Sequence, residues 1–245
     1  VSAEAELAAA LEALYALFSE APSLPSGGAC PHCSSEAEQA VLHRKPRREL
    51  KGGHLTRSAF DTDTSSESGA SHYRYFLPRI LELSAGSELD WFPGLEVSVV
   101  ADQLLSAGWD AWPVAERAAV HRYAHARWAL TLSGHPYDRS AWDALMGVSV
   151  LAGGVAPLLA MWEAEEGLNG ALQLANALVT TGASLHPGGF PAGWQDDEGW
   201  DVVSNWMRAR AREAALMRAA ALCPPESARA DMLAEGLEVW RKLEG

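Results

Sequence analysis

The chain has 245 residues, 48% hydrophobic and 21% charged, a balance that excludes a disordered polymer and suffices for a core without covalent staples. Its formal charge of −13 argues against a surface attractive to nucleic acid, because phosphates would be repelled. Three cysteines, Cys30, Cys33 and Cys223, are too few and too unpaired for a secreted disulfide scaffold, so a reducing cytoplasm is expected.

Alanine and leucine dominate and β-branched runs are scarce, so helix formers outnumber strand formers throughout. Leu7, Leu11, Leu14 and Phe18 share one face of a first helix. Glu4, Glu6 and Glu12 interrupt its apolar pattern, unlike the uncharged core of a signal peptide. A Pro/Ser/Gly break at 21–28 leads to Cys30-Pro31-His32-Cys33. A helix over Glu36–Leu42, a basic stretch from His43 to Arg57 and a short helix over Thr56–Phe60 follow. Asp61–Ser71 is polar and serine-rich and reads as a loop.

From His72 the pattern sharpens. Phe76, Ile80 and Leu83 line a helix ending near Gly86, with Pro78 expected in or near its first turn. Leu95–Ala107 is the next helix, and Pro113 opens a long one reaching about Leu132. Ser140–Trp162 is strongly apolar, and its uncharged part, Ala144–Trp162, is about as long as a membrane-spanning helix. Its interior Gly153-Gly154 and Pro157 favour two buried helices meeting at a break instead. Leu168–Thr181, Trp200–Leu222 and Ser227–Leu243 complete the series, the last two separated by Pro224-Pro225. The expectation is one all-α domain over 1–245, with mobile loops at 21–34, 61–71 and 182–199. Short connections suggest an antiparallel helical array, either an irregular HEAT-like solenoid or a compact helical bundle.

The most specific short signal is Cys30-Pro31-His32-Cys33. Two cysteines at this spacing can hold zinc, with His32 and His43 as the nearest further ligands and His54 or Cys223 as others. They can equally form a redox pair or be two ordinary thiols in a capping loop. His121 and His125 sit one turn apart, but Arg122 stands where a metalloprotease has its glutamate, so they read as the edge of a packing seam continued by Trp128 and Leu132. Asp61, Asp63, Ser65 and Glu67 alternate like calcium ligands, yet Ser66 and His72 replace the turn glycine and the bidentate glutamate of an EF-hand. Asp196, Asp197 and Glu198 could hold a hard cation or a basic partner; more simply, they precede a helix and complement its positive end, with Asp201 as its expected cap. The basic run His43-Arg44-Lys45, Arg47-Arg48, Lys51 and Arg57 can contact phosphate or an acidic partner, but it carries no interleaved aromatics for base stacking and can as well neutralise the protein's own acidic face.

Two resemblances follow from these segments. Cys30-Pro31-His32-Cys33 resembles the active site of periplasmic thiol oxidases of the thioredoxin superfamily, which implies Cys30 as nucleophile and Cys33 as resolving thiol. It covers four residues, and a Pro/Ser/Gly loop stands where that fold needs a strand. Pro46-Arg47-Arg48-Glu49-Leu50, Phe76-Leu77-Pro78-Arg79-Ile80-Leu81-Glu82-Leu83 and Ala107-Gly108-Trp109-Asp110-Ala111-Trp112-Pro113 together resemble an uncharacterised family of bacterial cytoplasmic proteins with a Cys-rich N-terminal element. That resemblance spans roughly residues 10 to 135 and implies no activity. Arg47 departs from the leucine that family tends to carry.

No acid, base and nucleophile converge in the sequence, so the leading expectation is a non-enzymatic helical module whose partner is another protein, with neither nucleic acid nor membrane bound. An enzyme built from His72, His121, His125, Asp196 and Asp197 converging in the fold is the remaining alternative.

Overall fold

A computed structural model describes residues 1–19, 41–42, 44–55, 63–86, 95–185 and 197–244. The chain is all-α, with no strand among the described residues. Its contacts divide it into two compact units, Val1–Arg127 and Trp128–Gly245.

The first unit begins with α1 (Ala3–Leu17), capped by the Ser2 hydroxyl on the Ala5 amide and burying Leu7, Ala10, Leu14 and Tyr15. A 3-10 turn (Arg47–Glu49) follows Pro46, whose φ of −52° suits the entry to a turn. Helix α2 (Glu67–Ser84) starts well before the expected position, so residues 67–71 are helical rather than loop. Its start is fixed locally. Asp63 Oδ1 accepts from the Ser65 amide, and the Ser66 hydroxyl donates to Asp63 O and accepts from the Gly69 amide. A Cβ at Gly69 would lie 2.0 Å from Asp63 O, so the turn admits only glycine there. Because α2 starts early, Pro78 lies inside it rather than in its first turn and leaves the Arg74 carbonyl without its i+4 donor.

Tyr73, Phe76, Leu77, Ile80 and Leu81 form the buried stripe of α2, which packs on α1, on the 3-10 turn and on α3 (Val97–Ser106). Gly108, left-handed at φ 61°, turns α3 into a second 3-10 turn (Trp109–Ala111). Helix α4 (Val114–Ser133) follows Pro113, and the division between the units falls within it. Its Tyr123 hydroxyl, fully buried, donates to Leu81 O at the end of α2.

In the second unit, α5 (Ala141–Ala152) and α6 (Ala156–Ala164) meet at Gly153 and Gly154, at φ 77° and 135°, as the sequence predicts. Helix α7 (Leu168–Thr181) coincides with its predicted span and runs into a 3-10 turn (Gly182–Leu185). The segment expected as one helix from Trp200 to Leu222 is two, α8 (Asp197–Arg208) and α9 (Arg210–Ala220), broken where Ala209 turns extended (φ −58°, ψ 135°). Asp201 therefore sits inside α8 instead of capping it, and its start at Asp197 shortens the expected loop at 182–199 from that end. Helix α10 (Ala228–Glu244) is capped by the Ser227 hydroxyl on the Ala230 amide. Helix α7 is the hub, touching α5, α9 and, most closely, α10. A solenoid packs each repeat on its sequence neighbours; here helices distant in sequence share a core, so this unit is a bundle. Among the described residues no helix is long and apolar enough to cross a membrane.

Candidate functional site

Among the described residues the densest polar cluster lies where α1, the Arg47–Glu49 turn and α2 converge. Arg47 Nη1 donates to Phe18 O and Tyr75 O, both at 2.5 Å, and Nη2 to Tyr15 O at 3.2 Å. Two of these carbonyls belong to the end of α1, where acceptors lack intrahelical partners and the helix dipole is negative. The guanidinium is flanked by the Tyr15 and Tyr75 rings at 4.8 and 4.7 Å. Burial pulls Arg47 below its ordinary pKa, opposed by the two tyrosines, and arginine stays charged at any accessible pH.

Arg48 forms a two-pronged pair with Glu12 at 2.7 Å on each oxygen and stacks 3.8 Å from the centre of the Tyr15 ring. The Tyr15 hydroxyl donates to Glu82 Oε2 at 2.6 Å, and Arg79 Nη1 donates to the same oxygen at 2.6 Å. Arg79 Nε closes the circuit on Leu50 O at 2.7 Å. Arg79 and Glu82 thus pair at i, i+3 on one helix, and the network extends beyond that helix. Burial, reinforced by the Glu82 hydrogen bond, pushes the Tyr15 phenol well above its usual value, so it is a fixed donor and no base. The Pro46–Leu50 and Phe76–Leu83 segments that stand out in the sequence are therefore two halves of one clamp.

Beside it, Arg74 pairs with Glu116 of α4 while its guanidinium rests near the Phe18 and Trp112 rings at 5.9 and 5.4 Å. Glu116 is 8% exposed, and its Oε2 has no hydrogen-bond partner among the described residues. It stands in the first turn of α4, where the helix dipole favours a carboxylate.

Of the histidines flagged in the sequence, His72 and His121 are seated against aromatic rings and His125 is half-buried. His72 lies 4.9 Å from Phe76 and His121 5.4 Å from Trp109, ring centre to ring centre. Burial, then the charge of His121, lowers the pKa of His125. All three are in the first unit, whereas Asp197 starts α8 in the second. Asp196 and the whole metal set, Cys30, His32, Cys33 and His43, lie outside the described residues, as do the expected loop at 21–34 and the short helix at 56–60. Among the described residues no group of three or more His, Cys, Asp or Glu side chains is placed to hold a metal. Cys223 is a free, partly exposed thiol following α9.

Two polar centres in the second unit escape the sequence reading. Gln173, fully buried in α7, accepts from the Ala141 amide at 2.8 Å and donates to Arg139 O at 2.6 Å, with Thr131 O and Gly134 O at 3.1 Å. It ties the ends of the partly exposed 134–140 connection to α7 by satisfying backbone groups on both sides of it. Its signal was available: a glutamine set between Leu172 and Leu174. Arg212 of α9 reaches Glu163 of α6 at 2.7 Å and stacks 4.1 Å from the Trp206 ring centre, bridging the break at Ala209. Trp206 in turn meets Trp162, which meets Trp128, at 5.2 and 5.5 Å.

Compared with family models, curated proteins and solved structures, the chain matches none of them.

Proposed function

We propose that the protein is a non-catalytic helical module that binds another protein. The carrying observation is how its polar side chains are used. In the clamp, Arg47, Arg48, Arg79, Glu82 and Tyr15 all hold helices together. In the second unit Gln173 and Arg212 do the same. Each satisfies scaffold groups instead of converging on a shared cleft. Large apolar side chains meanwhile face solvent at helix ends. In the first unit Leu17 and Val114, 43% and 73% exposed, lie within two residues of the Phe18–Trp112 ring contact. Exposed apolar groups on a rigid scaffold suit recognition. Affinity capture from the host extract, followed by reconstitution from purified components, tests the reading. A stoichiometric complex is expected, and failure to recover and rebuild any complex counts against it.

A second proposal rests on the sequence alone: zinc held by Cys30 and Cys33, with His32 and His43. Stoichiometric zinc in tag-free protein, lost in Cys30→Ser with a fall in melting temperature, supports it. Metal-free protein whose melting ignores chelators removes it, and titration of an acidic thiolate would point to the redox pair instead.

A further inference from the structure

Helix α9 presents a solvent face whose charge opposes that of the chain. Arg212, Leu216 and Ala219 are its buried residues. Opposite them, at spacings of four, three and four, run Arg210, Ala214, Met217 and Ala221, all exposed, with Arg218 alongside and Leu222 just beyond the helix end. Met217 is 52% exposed and Leu222 73% exposed, so two large apolar side chains share this face with otherwise small ones. The one acid on the helix, Glu213, is held by Arg241 of α10 at 3.2 Å and lies to one side. Neither Arg210 nor Arg218 forms an ion pair with a described residue. In a chain of formal charge −13, this face carries two exposed arginines beside its apolar side chains and no exposed acid of its own, a charge complementary to an acidic partner.

We infer that the outer face of α9 docks an acidic amphipathic helix of a partner protein, its apolar side chains on Met217 and Leu222 and its carboxylates on Arg210 and Arg218. Eight residues of helix separate the two arginines, so the matching carboxylates stand about 12 Å, or roughly two turns, apart. Methionine is suited to the anchor position because its unbranched, polarisable side chain adapts to the groove of an incoming helix. A second copy of this acidic chain is disfavoured by its own net repulsion. The inference rests on the protein-binding reading and names the partner's chemistry.

The probe is a synthetic helical peptide with leucines on one face and glutamates two turns apart, set against an isomer of the same composition with no apolar face. Titration at low salt into the full chain is expected to give saturable binding at least ten-fold tighter for the first peptide, weakened by added salt. Met217→Glu and Arg218→Glu should each weaken it at least ten-fold. Both side chains face solvent, so melting temperature should hold. Equal binding of the two peptides, no binding, or indifference to either substitution overturns the inference. Self-association in sedimentation that Met217→Glu abolishes overturns it too, by seating a second copy there. A natural partner that reconstitutes yet ignores both substitutions removes this face while leaving the broader function standing.

Discussion

Helices α7 and α10 approach so closely that one glycine decides whether they can. Gly236 of α10 is buried against Ala175 of α7, and a Cβ built on it would lie 2.7 Å from both Ala175 Cα and Cβ and 3.3 Å from its carbonyl oxygen. Carbon atoms pack at about 3.5–4.0 Å, so Gly236→Ala demands a separation of about 1 Å. Two of the three opposing atoms are backbone, so no rotamer change relieves the clash. Overpacking of this kind costs about 1–3 kcal/mol, and the upper part of the range applies where backbone meets backbone. The substitution also gains about 1 kcal/mol of helix propensity. The difference leaves the variant about 2 kcal/mol less stable, a fall of about 4–8 °C in melting temperature for a chain of this size. Gly182 offers a contrast within the same seam: its Cβ would meet Val239 Cγ1 at 2.6 Å, the tip of a side chain that can turn away, so Gly182→Ala should cost less. Thermal and urea unfolding followed by circular dichroism at the helix band checks both. In the Gly236→Ala background, Ala175→Gly should restore only part of the loss, because Ala175 Cα remains. A Gly236→Ala protein as stable as the parent, or more so, would refute a close α7–α10 contact.

Three further outcomes follow from the hydrogen-bond networks. Arg47→Ala strips the Phe18, Tyr15 and Tyr75 carbonyls of a shared charged donor and should cost about 2–3 kcal/mol in urea unfolding; Arg47→Lys, lacking the planar fork, should recover less than half. Gln173→Leu leaves the buried Ala141 amide without its acceptor and should cost about 1–3 kcal/mol, with faster hydrogen exchange across residues 134–141; unchanged exchange would contradict the assigned role. Stability should fall as pH drops from about 7.5 to about 5.5. His125 and His54 both have pKa values lowered below 6.5, chiefly by burial, so in that window the unfolded chain binds more protons than the folded one. Their contribution is complete above the unfolded value and lost as pH falls through the folded one. His54 also accepts from the Lys51 amide through Nδ1, which requires a neutral ring there. His54→Gln with His125→Gln should flatten the slope, and a slope unaltered by both would assign it elsewhere.

Much of the helix plan was legible because its signals are local. Gly153-Gly154 marked the junction of α5 and α6, and Leu168–Thr181 was bounded by glycines on both sides. Ser227 after Pro224-Pro225 announced α10. Local cues failed where they pointed the wrong way. The serines and acids of 63–71 look like loop, yet Asp63 and Ser66 use those same oxygens to cap α2 and start it early. The clamp was half legible. The i, i+3 pairing of Arg79 with Glu82 follows from spacing, but their reach to Leu50 O and Tyr15 requires segments 29 and 67 residues away to be brought alongside.

Composition and apolar periodicity by themselves determined that this chain is a set of amphipathic helices, because burying one stripe per helix is a property of nearest neighbours along the chain. The tertiary structure alone decided that α7 would be the hub, that Gly236 would touch Ala175, and that an alanine with no intrinsic reason to break a helix would do so at 209. At that break Arg212 reaches both Glu163 and the Trp206 ring, contacts made across space and written in no run of adjacent residues.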